Sequence, residues 1–273
     1  MGQRLLAAPF LEGILANPDD LETYRVYGDW LAQQGDVWGN VIAIQHALAT
    51  LPRFGVTQRR DELEREETLL LYEHRERLWG ALATEIFDEG TQRALCDMID
   101  ATWRCGFVRS IRITNRDVVM RSLPRIARLD TMRLLQHLEL EAGTMNRAFG
   151  EALAKVLWPE LRRIELLGHG DQTPDARAIL RLLDTMPKLV EILMLGAIEA
   201  DAMLVSLATL PIAQRLRSLE LHDCVLEDTG VAALAGGEFP ELDRLVITGD
   251  VPDNARGILE RCARHVRIEN VRA

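Results

Sequence analysis

The sequence predicts an α/β protein in which a right-handed solenoid of strand–helix units, built around a parallel sheet, follows a helical N-terminal domain. Three observations predict it. Aliphatic triplets recur at a near-constant spacing through the second half of the chain. Segments of helical periodicity fill the intervals between them. The first part of the chain is patterned for helices and carries no repeat. The boundaries drawn from these patterns are a helical domain over 1–90, a connecting or capping segment over 91–106, and the solenoid over 107–273.

Within the helical domain, "FLEGILANPDDLETYRVYGDWLAQQGDVWGNVIAIQ" (10–45) reads as three helices. Asn17-Pro18-Asp19-Asp20 supplies a start signal and Gly35-Asp36 a stop. Tyr27 and Trp30 are expected as core anchors, and Asp29 as the partner of a nearby donor rather than a catalytic acid. After the loop "LPRFGVT", a long charged helix is predicted over 57–82, with Leu63, Leu70, Leu71, Leu78 and Trp79 on its apolar side and "DELEREE" (61–67) as a solvated face. Residues 91–105 read as strand-like or turn-rich.

The solenoid rests on the triplets Val108/Ile111/Ile113, Leu135/Leu138/Leu140, Leu161/Ile164/Leu166, Leu189/Ile192/Met194, Leu216/Leu219/Leu221 and Leu242/Leu245/Ile247. Their first positions are 27, 26, 28, 27 and 26 residues apart, and a shorter step reaches Val266/Ile268. Helices are predicted between them at 146–158, 173–186, 199–210 and 252–264. One such unit cannot bury its own apolar face, so the units must stack. In each strand the triplet points inward and the residues between it point to the concave side.

Composition bounds the function. A formal charge of -10 argues against a nucleic-acid ligand, which needs a basic face to displace counterions. Residues 1–106 hold 10 Lys+Arg against 18 Asp+Glu, which would also repel an anionic membrane. Pro9 and Glu12 interrupt the apolar N-terminal run, and no stretch is long and apolar enough to span a bilayer. A cytoplasmic location is expected. The cysteines at 96, 105, 224 and 262 form no CxxC pair and lack a histidine at zinc-site spacing, so neither metal nor cofactor is expected.

One stretch invites chemistry. In "LRSLELHDCVLEDTGVAALAGG" (216–237), His222, Asp223 and Cys224 are consecutive, as a thiol site could be. The repeat register separates them: His222 faces the concavity and Cys224 lies packed in the turn beyond the strand, where an apolar setting lowers thiol reactivity. His169-Gly170-Asp171 and His46 offer no better constellation, and there is no phosphate-cradling loop, dinucleotide fingerprint or zinc-protease motif. No catalytic residue is expected.

The same register writes out the concave face in three columns. They are Ser110, His137, Arg163, Glu191, Ser218, Arg244; then Arg112, Glu139, Glu165, Leu193, Glu220, Val246; then Thr114, Glu141, Leu167, Leu195, His222, Thr248. Glu139 and Glu165 fall side by side on neighbouring strands, where like charges are unfavourable. Leu167, Leu193 and Leu195 form an apolar cluster on a face expected to meet water, and an apolar patch rimmed by charge marks a protein interface. The candidate partner-binding residues are His137, Glu139, Glu141, Arg163, Glu165, Leu167, Glu191, Leu193, Leu195, Glu220 and His222. The expected partner is another protein with apolar and basic contact residues.

Residues 107–273 resemble a ribonuclease-inhibitor-type leucine-rich-repeat array. The pattern LxxLxLxxCxLxDxGxxALA is fulfilled by Leu216, Leu219, Leu221, Cys224, Leu226, Asp228, Gly230 and Ala233-Leu234-Ala235. Four other repeats carry Gly143, His169, Ala197 and Asp250 at the Cys position. The front of the chain resembles the repeat-companion domain of bacterial leucine-rich-repeat proteins, as in myxobacteria and planctomycetes. The match is carried by Phe10, Leu11, Ile14, Pro18-Asp19-Asp20, Val26-Tyr27, Asp29-Trp30-Leu31, Gly35-Asp36, Gly39, Ile42, Gln45, Trp79-Gly80 and Gly106-Phe107-Val108. It departs at Tyr24-Arg25, Gly28, Trp38 and Asn40. These resemblances imply an architecture and bring no activity with them. The expected role is a non-catalytic protein–protein interaction module, an adaptor or regulator binding through the concave face. The alternatives are a structural subunit of a larger assembly, or an enzyme with a site where the helical domain meets the solenoid.

Overall fold

The computed structural model describes residues 2–52, 57–80, 83, 99–114, 125–141, 158–167, 183–196, 200–236 and 239–270. The helices predicted over 146–158 and 173–186 lie outside them except at their last residues, as do residues 91–98, Cys96, Gly143, Ala197, His169-Gly170-Asp171 and the side chain of Glu141. The chain divides into two compact units. One comprises 1–96, 101–109 and 129–134; the other comprises 97–100, 110–128 and 135–273.

In the first unit the helices are α1 (Gly2–Ala16), α2 (Leu21–Gln33), α3 (Val37–Thr50), α4 (Thr57–Glu73) and α5 (Arg75–Trp79). Aspartates start two of them. Asp20 accepts from Glu22 N at 3.1 Å and Asp36 from Trp38 N at 3.0 Å, each satisfying a helix-end donor that has no partner within its helix. Asp20 lies in the predicted start signal. Asp36, read as part of a stop, both ends one turn and opens the next helix. At Gly39 a Cβ would meet Ala32 N and Gly28 O at 2.5 Å, so α2 and α3 approach closely only because that side chain is missing.

The charged helix predicted over 57–82 is interrupted at His74. The amides of Arg77 and Leu78 both turn to His74 O, at 2.9 and 3.2 Å, and start a new helix. Arg77 is then held by Asp36 at 2.6 Å, and Leu78 and Trp79 are buried. Of the predicted apolar side, Leu63 is buried, whereas Leu70 and Leu71 are half-buried. Asp29 pairs with Arg25 at 3.2 Å on the surface.

The first unit also takes in most of β1 (Ile99–Arg104) and the start of β2 (Phe107–Ile113). Cys105 and Gly106 join these strands with φ of 48° and 83°, the left-handed pair that a two-residue hairpin turn requires. Helix α3 grips this turn from both sides: Trp38 Nε1 donates to Gly106 O at 2.7 Å and Gly106 N donates to Gln45 Oε1 at 2.6 Å. Phe107 follows directly into the aromatic cluster, 5.2 Å from the Trp38 ring centroid and 6.4 Å from that of Tyr27. Several residues that carry the front resemblance therefore meet at one turn. Arg109 is buried beside it and donates from Nη2 to Pro18 O and Tyr24 Oη, at 2.7 and 2.5 Å.

One eight-stranded sheet runs in chain order β1-β2-β3-β4-β5-β6-β7-β8. The later strands are β3 (His137–Glu141), β4 (Arg163–Leu167), β5 (Glu191–Leu195), β6 (Ser218–Val225), β7 (Arg244–Asp250) and β8 (His265–Asn270). From β2 to β8 every neighbouring pair is parallel. The second and third members of the six triplets occupy equivalent positions and are 0 or 1% exposed. Burying such a side chain stabilises by roughly 1.5–3 kcal/mol, so one face of the sheet fixes the register by itself.

The strand entries repeat one hydrogen-bond device. Arg162 and Arg163 both donate to Gln136 O, Val190 and Glu191 to Arg162 O, Arg217 and Ser218 to Val190 O, and Asp243 and Arg244 to Arg217 O. Helices α6 (Ala200–Ala208) and α7 (Asp228–Ala235) pack side by side, and α8 (Arg256–Leu259) covers a short part of the segment predicted as helix over 252–264. Trp158 is buried in this unit, 1% exposed.

Candidate partner-binding face

The face opposite the buried triplets is built by alternation: with Leu138, Ile164 and Ile192 turned inward, their neighbours must turn outward. The register aligns His137, Arg163, Glu191, Ser218 and Arg244 as one row, and Glu139, Glu165, Leu193, Glu220 and Val246 as a second. A third row runs from Glu141 through Leu167 and Leu195 to His222. It does not continue evenly, because the pairing of β6 with β7 shifts between Leu221 and Cys224. His222 instead lies 3.2 Å from Thr248 Oγ1 through its Nδ1.

Glu139 and Glu165 are direct neighbours, as the spacing predicts, yet each is neutralised within the chain. Arg112 Nε sits 3.0 Å from Glu139, and Arg163 spans Glu165 at 2.7 Å and Glu191 at 3.1 Å. His137 Nε2 lies 2.9 Å from Glu165 Oε1, close enough for charge pairing although its N–H is not aimed for a hydrogen bond. The neighbouring His137 imidazole and the Arg163 guanidinium hold the Glu165 carboxyl down at about 2, against the opposing effect of burial.

Glu220 departs from the expectation of an open contact residue. It is buried, 8% exposed, between Arg244 at 3.3 Å and His222 at 3.6 Å. Ser218, Val246 and Thr248 are buried with it, so the β6–β7 end of the face offers little side-chain surface. The leucines at 167, 193 and 195 are half-buried on β4 and β5. In the second row the less buried side chains thus run from Arg112 to Leu193, whereas Arg244 on β7 and His265, Arg267 and Glu269 on β8 are exposed.

An open cleft of about 960 Å³ borders the strand entries of β4 to β7. Its lining joins Arg163, Glu191 and Arg244 of the first row to Arg217, Glu241, Asp243 and Arg264 from the entry segments. The last four were not singled out from the sequence. Their signal is positional, since Arg217 and Asp243 immediately precede β6 and β7.

Cys224 is buried, 1% exposed. Its thiol reaches Thr248 O at 3.7 Å and is pushed by burial up to about 11. His222 contacts the hydroxyl of that same threonine, and Asp223 between them takes a φ of 54°. His222 Nδ1 and the Asp223 amide both meet Thr248 Oγ1, whereas the Cys224 thiol turns to Thr248 O, so the three side chains are not joined in a relay. Among the described residues, no group of three or more His, Cys, Asp or Glu is placed to hold a metal ion. No described helix is long and apolar enough to cross a membrane.

No protein-family profile matches the chain, and no curated protein matches it. Among solved structures, a Bacteroides fragilis protein from a structural-genomics programme aligns at 19% identity with a TM-score of 0.42. The alignment covers 51% of this chain and 48% of that one, so it spans about half the length of that protein. A likeness of that extent carries no argument about activity.

Proposed function

We propose that the chain is a non-catalytic leucine-rich-repeat protein, and that its second unit is a solenoid whose concave face binds a protein partner, in the role of adaptor or regulator. The observation that carries this reading is the apolar group Leu167, Leu193 and Leu195 on two adjacent strands, bordered by Glu139, Glu165 and Arg163 on the open face. Half-buried leucines with a charged border provide the apolar centre and polar rim of an interface. The 26–28-residue spacing supports the repeat assignment, because successive repeats place successive strands side by side.

The pairing of the carboxylates refines the partner. Arg112, His137 and Arg163 already serve Glu139 and Glu165, so a basic partner residue has to displace an existing pair and gains little. An apolar anchor meeting the leucines is the main determinant, with basic flanks secondary. The test is capture of the natural partner from the source organism, followed by binding of the purified pair. Leu193→Asp is expected to weaken that binding at least tenfold, and Glu139→Arg with Glu165→Arg to weaken it less. Undiminished binding by both variants, with far-UV circular dichroism unchanged, would refute the face as the binding surface.

A further inference from the structure

Among the described residues β8 is the last strand of the sheet. Val266 and Ile268 occupy the inward positions that are 0 or 1% exposed in the six triplets, but both are only half-buried. Outward, His265, Arg267 and Glu269 are exposed. His265 N donates to Asp243 O at 2.8 Å, so the main-chain groups of 265, 267 and 269 turn toward β7. Those of 266, 268 and 270 turn to the free edge. Among the described residues no strand pairs with that edge, and Arg256 Nη2 reaches Ile268 O at 2.9 Å.

We propose that this edge pairs with the β8 strand of a second copy of the chain, antiparallel, about a two-fold axis at Ile268. Charged residues on an edge strand ordinarily discourage pairing. Here they are self-complementary. With the axis at Ile268, Arg267 faces Glu269 of the other copy and Glu269 faces its Arg267. These fall at the non-hydrogen-bonded positions, where side chains approach most closely. Ile268 meets its own counterpart on the apolar side; the outward main-chain groups of 266 and 270 and the Ile268 N–H find partners, and Ile268 O, which already accepts from Arg256 Nη2, takes the facing N–H on its second lone pair. An axis at Arg267 or at Glu269 would set like charges face to face. In-register parallel pairing would do the same. In the single copy, Arg267 can satisfy Glu269 only along its own strand, at 2.7 Å from Nε, with both side chains largely in solvent.

The pairing is isologous and therefore closes at two copies. It leaves the leucine-bearing face of β4 and β5 untouched, so it is separable from partner binding. Sedimentation equilibrium of the full chain should give twice the 30.8 kDa mass of one copy. Arg267→Glu and Glu269→Arg should each weaken self-association at least tenfold, returning the mass toward one copy. The double variant, Arg267→Glu with Glu269→Arg, restores opposite charges and should restore the dimer; that recovery distinguishes a lost contact from a lost fold. A wild-type chain that stays at single mass up to high micromolar concentration overturns the proposal. So does a dimer indifferent to both single reversals, or a double variant that remains a monomer.

Discussion

The helical unit and the sheet unit are each held together internally, by contacts of a different kind. In the helical unit the decisive contacts are each made once. Trp38 and Gln45 hold the two sides of Gly106, Arg109 reaches Tyr24 and Pro18, and Gly39 admits the backbone of α2. In the sheet unit the decisive contacts recur: an inward aliphatic pair per strand, and two amides donated to the residue ahead of the previous strand. A unit of single contacts concentrates its stability in a few residues. A unit of recurring contacts spreads it over neighbours, as stacked repeats do.

The sharpest way to break this comparison is Trp38→Ala. It opens a cavity in the aromatic cluster and leaves Gly106 O without its donor. The expected cost is about 3–5 kcal/mol, read as a lower urea midpoint. A loss below about 1 kcal/mol would show that the turn is not the keystone of its unit.

A smaller effect is expected where the sheet unit comes closest to a single contact. Asp201, on α6, accepts from Glu227 N and Thr229 Oγ1, both at 2.9 Å, and from Gly230 N, tying α6 to the start of α7. Asp201→Ala should cost roughly 1–2 kcal/mol, the range for a lost helix-end acceptor, in the same urea titration. Asp228 stands 27 residues later, yet it is exposed and α8 is short, so Asp228→Ala should change the midpoint little.

A pH-dependent effect is expected at Glu165. Its folded-state value is lowered from 4.5 to about 2, so the stability it contributes is fully present above about pH 4.5 and is lost as pH falls through 2. Comparing wild type with Glu165→Gln across that interval should show the wild-type advantage shrinking by on the order of 1 kcal/mol, after allowance for screening on an open face. An advantage that stays constant with pH would mean that the contacts of Glu165 with His137 and Arg163 contribute nothing to folding.

The sheet was legible in the sequence because its governing contact is apolar and periodic. A strand slipped by one residue would turn Leu138 or Ile192 to water, so the triplets alone placed the rows of the open face. What stayed hidden depended on contacts between residues far apart in the chain. The break at His74 follows from Arg77 meeting Asp36, 41 residues earlier. The burial of Glu220 follows from Arg244 on the next strand and from His222, whose row loses register beyond Leu221. The adjacency of Glu139 and Glu165 was readable, but their neutralisation was not. It depends on how Arg112, Arg163 and His137 bend over the face, and no spacing rule encodes that. The N-terminal helices showed in their start signals, whereas the turn they grip, Cys105-Gly106, lies about sixty residues downstream of Gln45.

The burial of Trp158 has a spectroscopic consequence. The chain has five tryptophans; positions 30, 38, 79 and 103 fall in the helical unit, and Trp158 alone in the sheet unit. Replacing Trp158 with phenylalanine would silence the sheet unit and leave the helical unit emitting. The difference between wild type and that variant thus reports the enclosed indole of the sheet unit by itself, without any attached dye.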